Sequence, residues 1–555
     1  MKVSNSIRNR LLACVASALL LAPALYAQGT ALVPTSDFVY MDIDRLAELG
    51  VLDSVIIGQR PYSRRELARI IRVARDRLDT VDHRSRPRFT DDVTTSANDV
   101  LHRIERFADG GDVLNEPVIS LFDGASLTFT STDANRRGFP APHTRSIEAT
   151  IDPLAARRLG MPAARGQTGA LELSQRAEPL GWLGFHARER IERRSPDDTL
   201  LDRTKSELLL ASMRARFRNV ALTVGREQFT WSQNAEDGLF LASDAPALDQ
   251  ISLAGDHPFV LPSVLRYLGP MQTTIIFADL GQSVARSHSK LLTYKVSIQP
   301  TTSVEIGGTF MNHFGGTGAR KSSLGDRIID FLPFIDVFRK HNYTDSTRAI
   351  DVESDKLLGM DGRVRLPVLG GVTLTGELLI DDFDVHRIPK LLTGYGSQTF
   401  AMIFPELGAP DVSLKLSAKH MGTITYSHNQ FLNGITTRGR LLGEELGPDA
   451  KSYSAQLRWV PTPGARLELE GRNAIYSNAT YSGFYSDPAQ TRFVVQKVSH
   501  TADELRDMLI ASLILQSDDV IALTLRGGAE RIRNVDFQGG RRRDYVAEIA
   551  LRLNH

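Results

Sequence analysis

Three stretches of this chain concentrate side chains able to bind or transform another molecule. Trp231, Gln233, Asn234, Glu236 and Asp237 stand close together in one, and His428, Asn429, Gln430, Arg438, Arg440 and Asp449 in another. Amides and carboxylates hydrogen-bond to sugar hydroxyls, aromatic rings stack on sugar faces, and arginine suits the carboxylates of an acidic polysaccharide. The same polar groups also satisfy the backbone of long loops that close a lumen, and Trp231 fits an interfacial aromatic belt, so both readings stand at each position. The third stretch, "IDDFDVHR", places Asp381, Asp382 and Asp384 near His386. That set could hold a divalent ion or supply paired carboxylates, and the plainer reading is a solvated or salt-bridged loop start. No H-E-x-x-H, G-x-S-x-G, phosphate-loop or dinucleotide fingerprint occurs, and no cofactor, metal or catalytic residue is expected.

The elements that position these stretches are mostly strands. In "KSYSAQLRWVPTPGARLELEGRNAIY" (451–476), Tyr453, Ala455, Leu457 and Trp459 alternate with polar residues, and Leu467 and Leu469 alternate with Arg466, Glu468 and Glu470 after a Pro/Gly turn. Period two on both arms predicts a β-hairpin with one greasy and one charged face. The same period recurs in "SELLLASMRARFRNVALTVGRE", "LLTYKVSIQP" and "GVTLTGELLID", and counting arms back from the C-terminus gives about eighteen strands, with 118–152 ambiguous by one or two. Short turns at 218–219, 268–270, 367–371, 461–464 and 517–519 largely alternate with long links near 231–250, 312–350, 381–410, 429–450 and 476–507. Alternating tight and long connections belong to a bacterial transmembrane antiparallel β-barrel, with the greasy face toward lipid and the charged face toward the lumen. The last stretch, "DYVAEIALRLNH", alternates Tyr545, Ala547, Ile549, Leu551 and Leu553 as a closing strand should, but finishes on His555 instead of an aromatic residue.

Ahead of the strands the period is helical. Ile43, Leu46 and Leu49 lead to Gly50; Ser63 and Glu66 have capping-box spacing before Leu67, Ile70, Ile71 and Ala74; Val93, Ala97, Val100, Leu101 and Ile104 line a third helix. The arginines of the second helix, Arg64 to Arg77, are expected on a solvated face. Further upstream, Lys2, Arg8 and Arg10 precede "LLACVASALLLAPALYA", the pattern of an export signal. Cys14, the only cysteine, lies inside that signal, which leaves no disulfide or thiol chemistry for a mature chain starting near Gln28. No later apolar run is long enough for a membrane-spanning helix. With a net charge of +1, bulk charge suggests no nucleic-acid partner. The organisation expected is a signal at 1–27, a small helical bundle at 28–115 and a barrel at 116–555.

"LTVGREQFTWSQNAEDGLFLASDAPALDQISL" (222–253) and "YSHNQFLNGITTRGRLLGEELGPDAKSYSAQLRW" (426–459), with the preface "DIDRLAELGVLDSVIIGQRPYSRRELARII", resemble the Wzi family of outer-membrane capsule-assembly proteins. The resemblance implies an eighteen-stranded barrel with a periplasmic helical bundle, acting as a surface lectin that binds capsular or extracellular polysaccharide, with outer-membrane lipid around it and no partner subunit. Its candidate contacts here are Trp231, Gln233, Asn234, Asp237, His428, Asn429, Gln430, Arg438 and Arg440. A diffusion porin and an outer-membrane hydrolase are the competing readings.

Overall fold

The computed structural model describes residues 29–80, 89–110, 117–134, 165–195, 203–234, 238–283, 285–319, 353–381, 396–409, 411–428, 431–477, 480–485, 493–498, 502–517 and 520–554, with a few isolated positions between them. The expected export signal lies outside this set, as do Asp382, Asp384 and His386.

Three helices come first: α1 (Val39–Leu49), α2 (Arg64–Asp79) and α3 (Asp91–Arg103). The residues at helical spacing, among them Ile43, Leu46, Leu67, Ile70, Val100 and Leu101, pack with Phe107 into a core of their own. Gly50 ends α1 at φ +78°, a conformation that costs glycine no Cβ clash. Ser63 Oγ accepts from the Glu66 backbone N–H at 3.2 Å, but the Glu66 carboxylate turns to Arg69 at 2.7 Å, so the Glu66 side chain binds Arg69. Only part of the arginine run is a solvated face: Arg72 is exposed and Arg75 meets Glu105 at the surface, but three others are held in place. Arg64 pairs with Asp123 at 3.2 Å, Arg69 with Glu66 at 2.6 Å and Arg77 with Asp53 at 2.8 Å, because α2 is wedged between the barrel and its own neighbours.

Eighteen antiparallel strands follow and close on themselves. They are β1 (Val118–Thr132), β2 (Gly166–Leu180), β3 (Leu183–Arg194), β4 (Thr204–Phe217), β5 (Val220–Glu227) and β6 (Leu248–Gly255). Next come β7 (Pro270–Asp279), β8 (Lys290–Thr301), β9 (Val304–Phe314), β10 (Ser354–Leu366), β11 (Val372–Ile380) and β12 (Ser397–Phe404). The last six are β13 (Val412–Met421), β14 (Ala450–Thr462), β15 (Ala465–Tyr476), β16 (Glu504–Ser517), β17 (Ile521–Arg533) and β18 (Arg541–Asn554). Each pairs with its sequence neighbours, and the seam runs from Gly124 opposite Asn554 to Thr132 opposite Val546.

Successive connections fall at alternate rims and mostly alternate in length, except that 256–269, in place of the expected tight turn at 268–270, is longer than 195–203, 280–289 and 534–540 at the opposite rim. At one rim lie 181–182, 218–219, 256–269, 302–303, 367–371, 405–411, 463–464 and 518–520, and at the other all the longest links. The expected single link at 381–410 is interrupted by β12. Phe400 faces out while Ala401 and Ile403 face in, so both faces are apolar and the polarity alternation that marks a strand is absent there. The ambiguous region at 118–152 holds one barrel strand, β1, plus a two-residue pair at 137–138 and 150–151. Facing follows the hairpin pattern: Tyr453, Leu457 and Trp459 are exposed on the outer wall, while Ser452 and Gln456 are buried in the lumen.

The helical unit sits against the short-link rim. Arg45 donates to the Pro405 carbonyl at 2.6 Å, Arg103 to Pro463 at 3.2 Å, Thr30 to Gly181 at 2.9 Å, and Arg365 to Glu48 at 2.8 Å. Its segment 55–60 continues into the lumen.

Candidate functional site at the capped mouth

From the opposite rim, the link 228–247 folds down into the same lumen. The backbones of Arg60 and Thr230 exchange two hydrogen bonds of 3.0 and 3.1 Å, joining the N-terminal segment to the link. Beside them Glu305 accepts from the backbones of Ile57 and Gly58, both at 2.8 Å, and from Gln233 Nε2 at 3.0 Å. Gln233 also donates to Asp361 at 2.6 Å, and Lys295 donates to the other Asp361 oxygen at 2.7 Å. A Cβ at Gly58 would come 2.6 Å from Gln233 Nε2 and 2.8 Å from Glu305 Oε1, so any larger residue there would push both side chains out of this arrangement. Ser232 donates to Glu377, and Asn234 donates to Thr375 at 3.0 Å.

A second link, 422–449, covers the first. Tyr426 is fully buried, donates to the Leu239 carbonyl at 2.6 Å and accepts from the Glu444 backbone at 3.0 Å. Burial pushes its phenol well above the ordinary range. Leu239, Leu241, Ile435, Leu441, Leu442 and Leu446 pack around it as a core separate from that of the helices. The cap is therefore a folded layer with its own hydrophobic centre, stabilised as any small core is.

These positions decide what each expected contact residue does in this state. Trp231 is 1% exposed and lies in the cap core, on neither the outer belt nor the outer surface, and its indole N–H has no hydrogen-bond partner among the described residues. Gln233 and Asn234 hold the plug to the wall from inside. Arg440 is buried and donates to Glu445 at 3.0 Å; burial and the charge of Asp244 push the Glu445 carboxyl up to about 8, with Arg440 and Arg472 opposing. Arg438 reaches the rim, half-exposed, and donates to Glu207 at 3.3 Å. His428 sits beside Phe431, which also stacks on His313 at 4.1 Å and lies under the Arg286 guanidinium at 4.7 Å. Asp237, Asn429 and Gln430 lie outside the described residues. Asp381 of the acidic cluster accepts from the Tyr426 backbone at 2.6 Å, so it anchors the cap.

Sequence reasoning missed Glu305, Asp361 and Lys295, which lie on three different strands with no motif linking them. Only their inward phase in the period-two pattern marks them. It also missed a polar cavity of about 280 Å³ beside the plug, lined by Glu172, Arg190, Glu470, Arg472, Arg526 and Glu548 among others.

A closed antiparallel barrel with an apolar outer wall, a polar lumen and a folded cap defines an outer-membrane β-barrel protein. The sequence pattern of "Capsule assembly protein Wzi" matches residues 142–546. The chain belongs to the Wzi capsule-assembly family. Its fold is that of a solved structure described as Wzi, an outer-membrane protein involved in group 1 capsule assembly in Escherichia coli and a carbohydrate-binding β-barrel. The two are 16% identical, with a TM-score of 0.62, over 95% of this chain and 99% of that one. An uncharacterized 55.8 kDa protein in the cps region of Klebsiella pneumoniae is 29% identical over 120 residues, a match that spans 21% of this chain and 22% of that protein. Structures of Pseudomonas aeruginosa OccD3 (OpdP) align over 80% of this chain and 92% of theirs, at 12% identity and a TM-score of 0.42.

Proposed function

We propose that the protein binds capsular or extracellular polysaccharide on the outer face of its cap and holds it at the cell surface, without catalysing a reaction. The observation that supports this reading most is the cap itself. Link 422–449 folds over its own core above a plugged lumen, so the long-link end offers a surface where a general porin offers an opening. In this arrangement residues 1–27 direct export, the helical unit within 28–115 lies in the periplasm, 116–555 form the barrel, lipid surrounds the outward apolar wall, and a single barrel suffices. Contact with the glycan is assigned to Arg438 on the rim and, from the sequence pattern, to Asn429, Gln430 and Asp237. His428, buried beside Phe431, acts with Trp231, Gln233, Asn234 and Arg440 by fixing the cap's shape.

Binding of the purified full-length protein to a panel of capsular polysaccharides, paired with a liposome-swelling assay, tests the proposal. Saturable glycan binding with negligible sugar permeation is the expected result. Sugar uptake at porin rates with no glycan bound would overturn it.

A further inference from the structure

On the outward wall, the two sides of the long-link rim differ in charge. Across β5 to β8 the charges neutralise one another: Arg226 pairs with Asp249 at 2.7 Å and Lys290 with Asp279 at 2.7 Å. Across β16 to β18 they do not. Arg531 lies directly opposite Arg543, and Arg533 directly opposite Arg541. All four fall on the outward phase of their strands, since Arg542 and Asp544 between them point inward and pair with each other at 2.7 Å. Opposed residues on one sheet face stand about 4.5–5.5 Å apart, and like charges so placed repel. Among the described residues one carboxylate pairs with the block. Asp507 pairs with Arg531 at 2.7 Å and Arg533 at 3.3 Å, and among the described residues no carboxylate pairs with Arg541 or Arg543. The Nε of Arg533 is buried with no hydrogen-bond partner among the described residues.

We propose that this block binds the phosphate groups of a phosphorylated glycolipid in the outer leaflet. Four guanidinium groups against Asp507 and the outward Asp133, whose carboxylate accepts from the Tyr545 backbone, leave an excess charge near +2, matched by a headgroup bearing two phosphates, and each guanidinium can present two N–H donors to one phosphate. Position singles out a lipid over a soluble acidic glycan. The block lies on the side wall and not on the cap, and directly below it along the strands come Tyr545, Ile549, Leu509 and Leu525, all exposed and outward. Tyr545 follows Arg543 by two residues, about 7 Å of strand, so acyl chains on the apolar wall bring their headgroup to the arginines. Placement in the outer leaflet rests on the proposed orientation, with the long links outside.

The test uses the full-length protein in detergent and native mass spectrometry with bisphosphorylated, monophosphorylated and dephosphorylated lipid A. Binding is expected to fall at least tenfold on removal of both phosphates, to fall similarly in Arg541→Gln/Arg543→Gln, and to be largely kept in Arg541→Lys/Arg543→Lys. Heat-modified gel mobility shows which variants are folded. Equal binding of the dephosphorylated lipid, or unchanged binding by a folded Gln double variant, overturns the site. Displacement of the lipid by a soluble acidic polysaccharide reassigns the block to glycan and overturns the lipid assignment. Orientation is tested apart from it: the Gly439→Cys variant should react with an impermeant maleimide on intact cells, and failure to react sinks the outer-leaflet placement whatever binds in detergent.

Discussion

Replacing Glu305 with alanine removes the one carboxylate, among the described residues, that accepts from both plugging segments. Three donors lose their acceptor: the backbones of Ile57 and Gly58 at 2.8 Å and Gln233 Nε2 at 3.0 Å. A buried donor left unpaired costs about 1–3 kcal/mol, so the upper bound is roughly 9 kcal/mol. Water entering the vacated space and the loss of a buried charge offset much of that, leaving a net penalty of about 3 kcal/mol. The penalty falls on the plug and not on the ladder, because the Glu305 side chain is no part of the β9 backbone pairing. An opening equilibrium shifted by about 3 kcal/mol raises the open fraction roughly 150-fold. Single-channel recording in planar bilayers reads this directly, with Ser512→Ala, an inward residue beside the cavity, as control. More frequent or larger openings in a variant with normal heat-modified mobility are expected. A folded Glu305→Ala protein as silent as the wild type would refute the idea that this junction keeps the lumen shut.

Leu457→Arg puts a charge on the outward wall and should cost about 2–4 kcal/mol near the membrane centre, whereas Gln456→Arg points into the lumen and should cost little; equal shifts in unfolding would show that the facing is wrong. An epitope between Gly434 and Gly447 should be reached on intact cells and one at 463–464 only after permeabilisation. Glu66, buried under the first turn of α2, is pushed up to about 7 by burial against an ordinary value of 4.5, with Arg69 pulling it down. A carboxylate raised in the folded state contributes stability that is complete below its unfolded value and is lost as pH climbs through the folded one; the helical unit should resist proteolysis better at pH 5 than at pH 8, and Glu66→Gln should flatten that difference. Arg440→Gln strips Glu445 of its paired cation and should lower thermal stability by about 1–3 kcal/mol, while Arg438→Gln should weaken acidic-glycan binding and its salt dependence with little loss of stability. The reverse pattern, read from melting and binding on one preparation, would move the glycan contact elsewhere.

The fold was legible because strand facing is a local property. Tyr453, Leu457 and Trp459 point outward for the same reason that Gln456 does not, and no knowledge of the rest of the chain is needed to see it. β12 escaped because a strand apolar on both faces carries no alternation. The site was much less legible. Trp231 and Gln233 stand in a polar, loop-like stretch, yet they are buried, because residues 55–60 and Glu305 come from distant parts of the chain to receive them. Whether a polar loop side chain meets solvent or a lumen carboxylate depends on which way its link folds, and period and composition carry no record of that. The arginine block was hidden for the opposite reason: four arginines in sequence look like ordinary strand ends until register places them in opposed pairs.

The helical unit also spans the seam. Arg64 reaches Asp123 on β1 at 3.2 Å, and Arg552 on β18 donates to the Ser36 carbonyl at 3.1 Å, while other bonds reach the end of β10 and the links that follow β2, β12 and β14. Such a body fits only one circumference. A barrel that closed one hairpin short or long would leave some of these partners several ångströms out of reach, since neighbouring strands lie about 4.8 Å apart. The unit thus works as an internal gauge of strand number, satisfied only when the first and last strands have met, and docking of this N-terminal piece becomes a readout of completed closure.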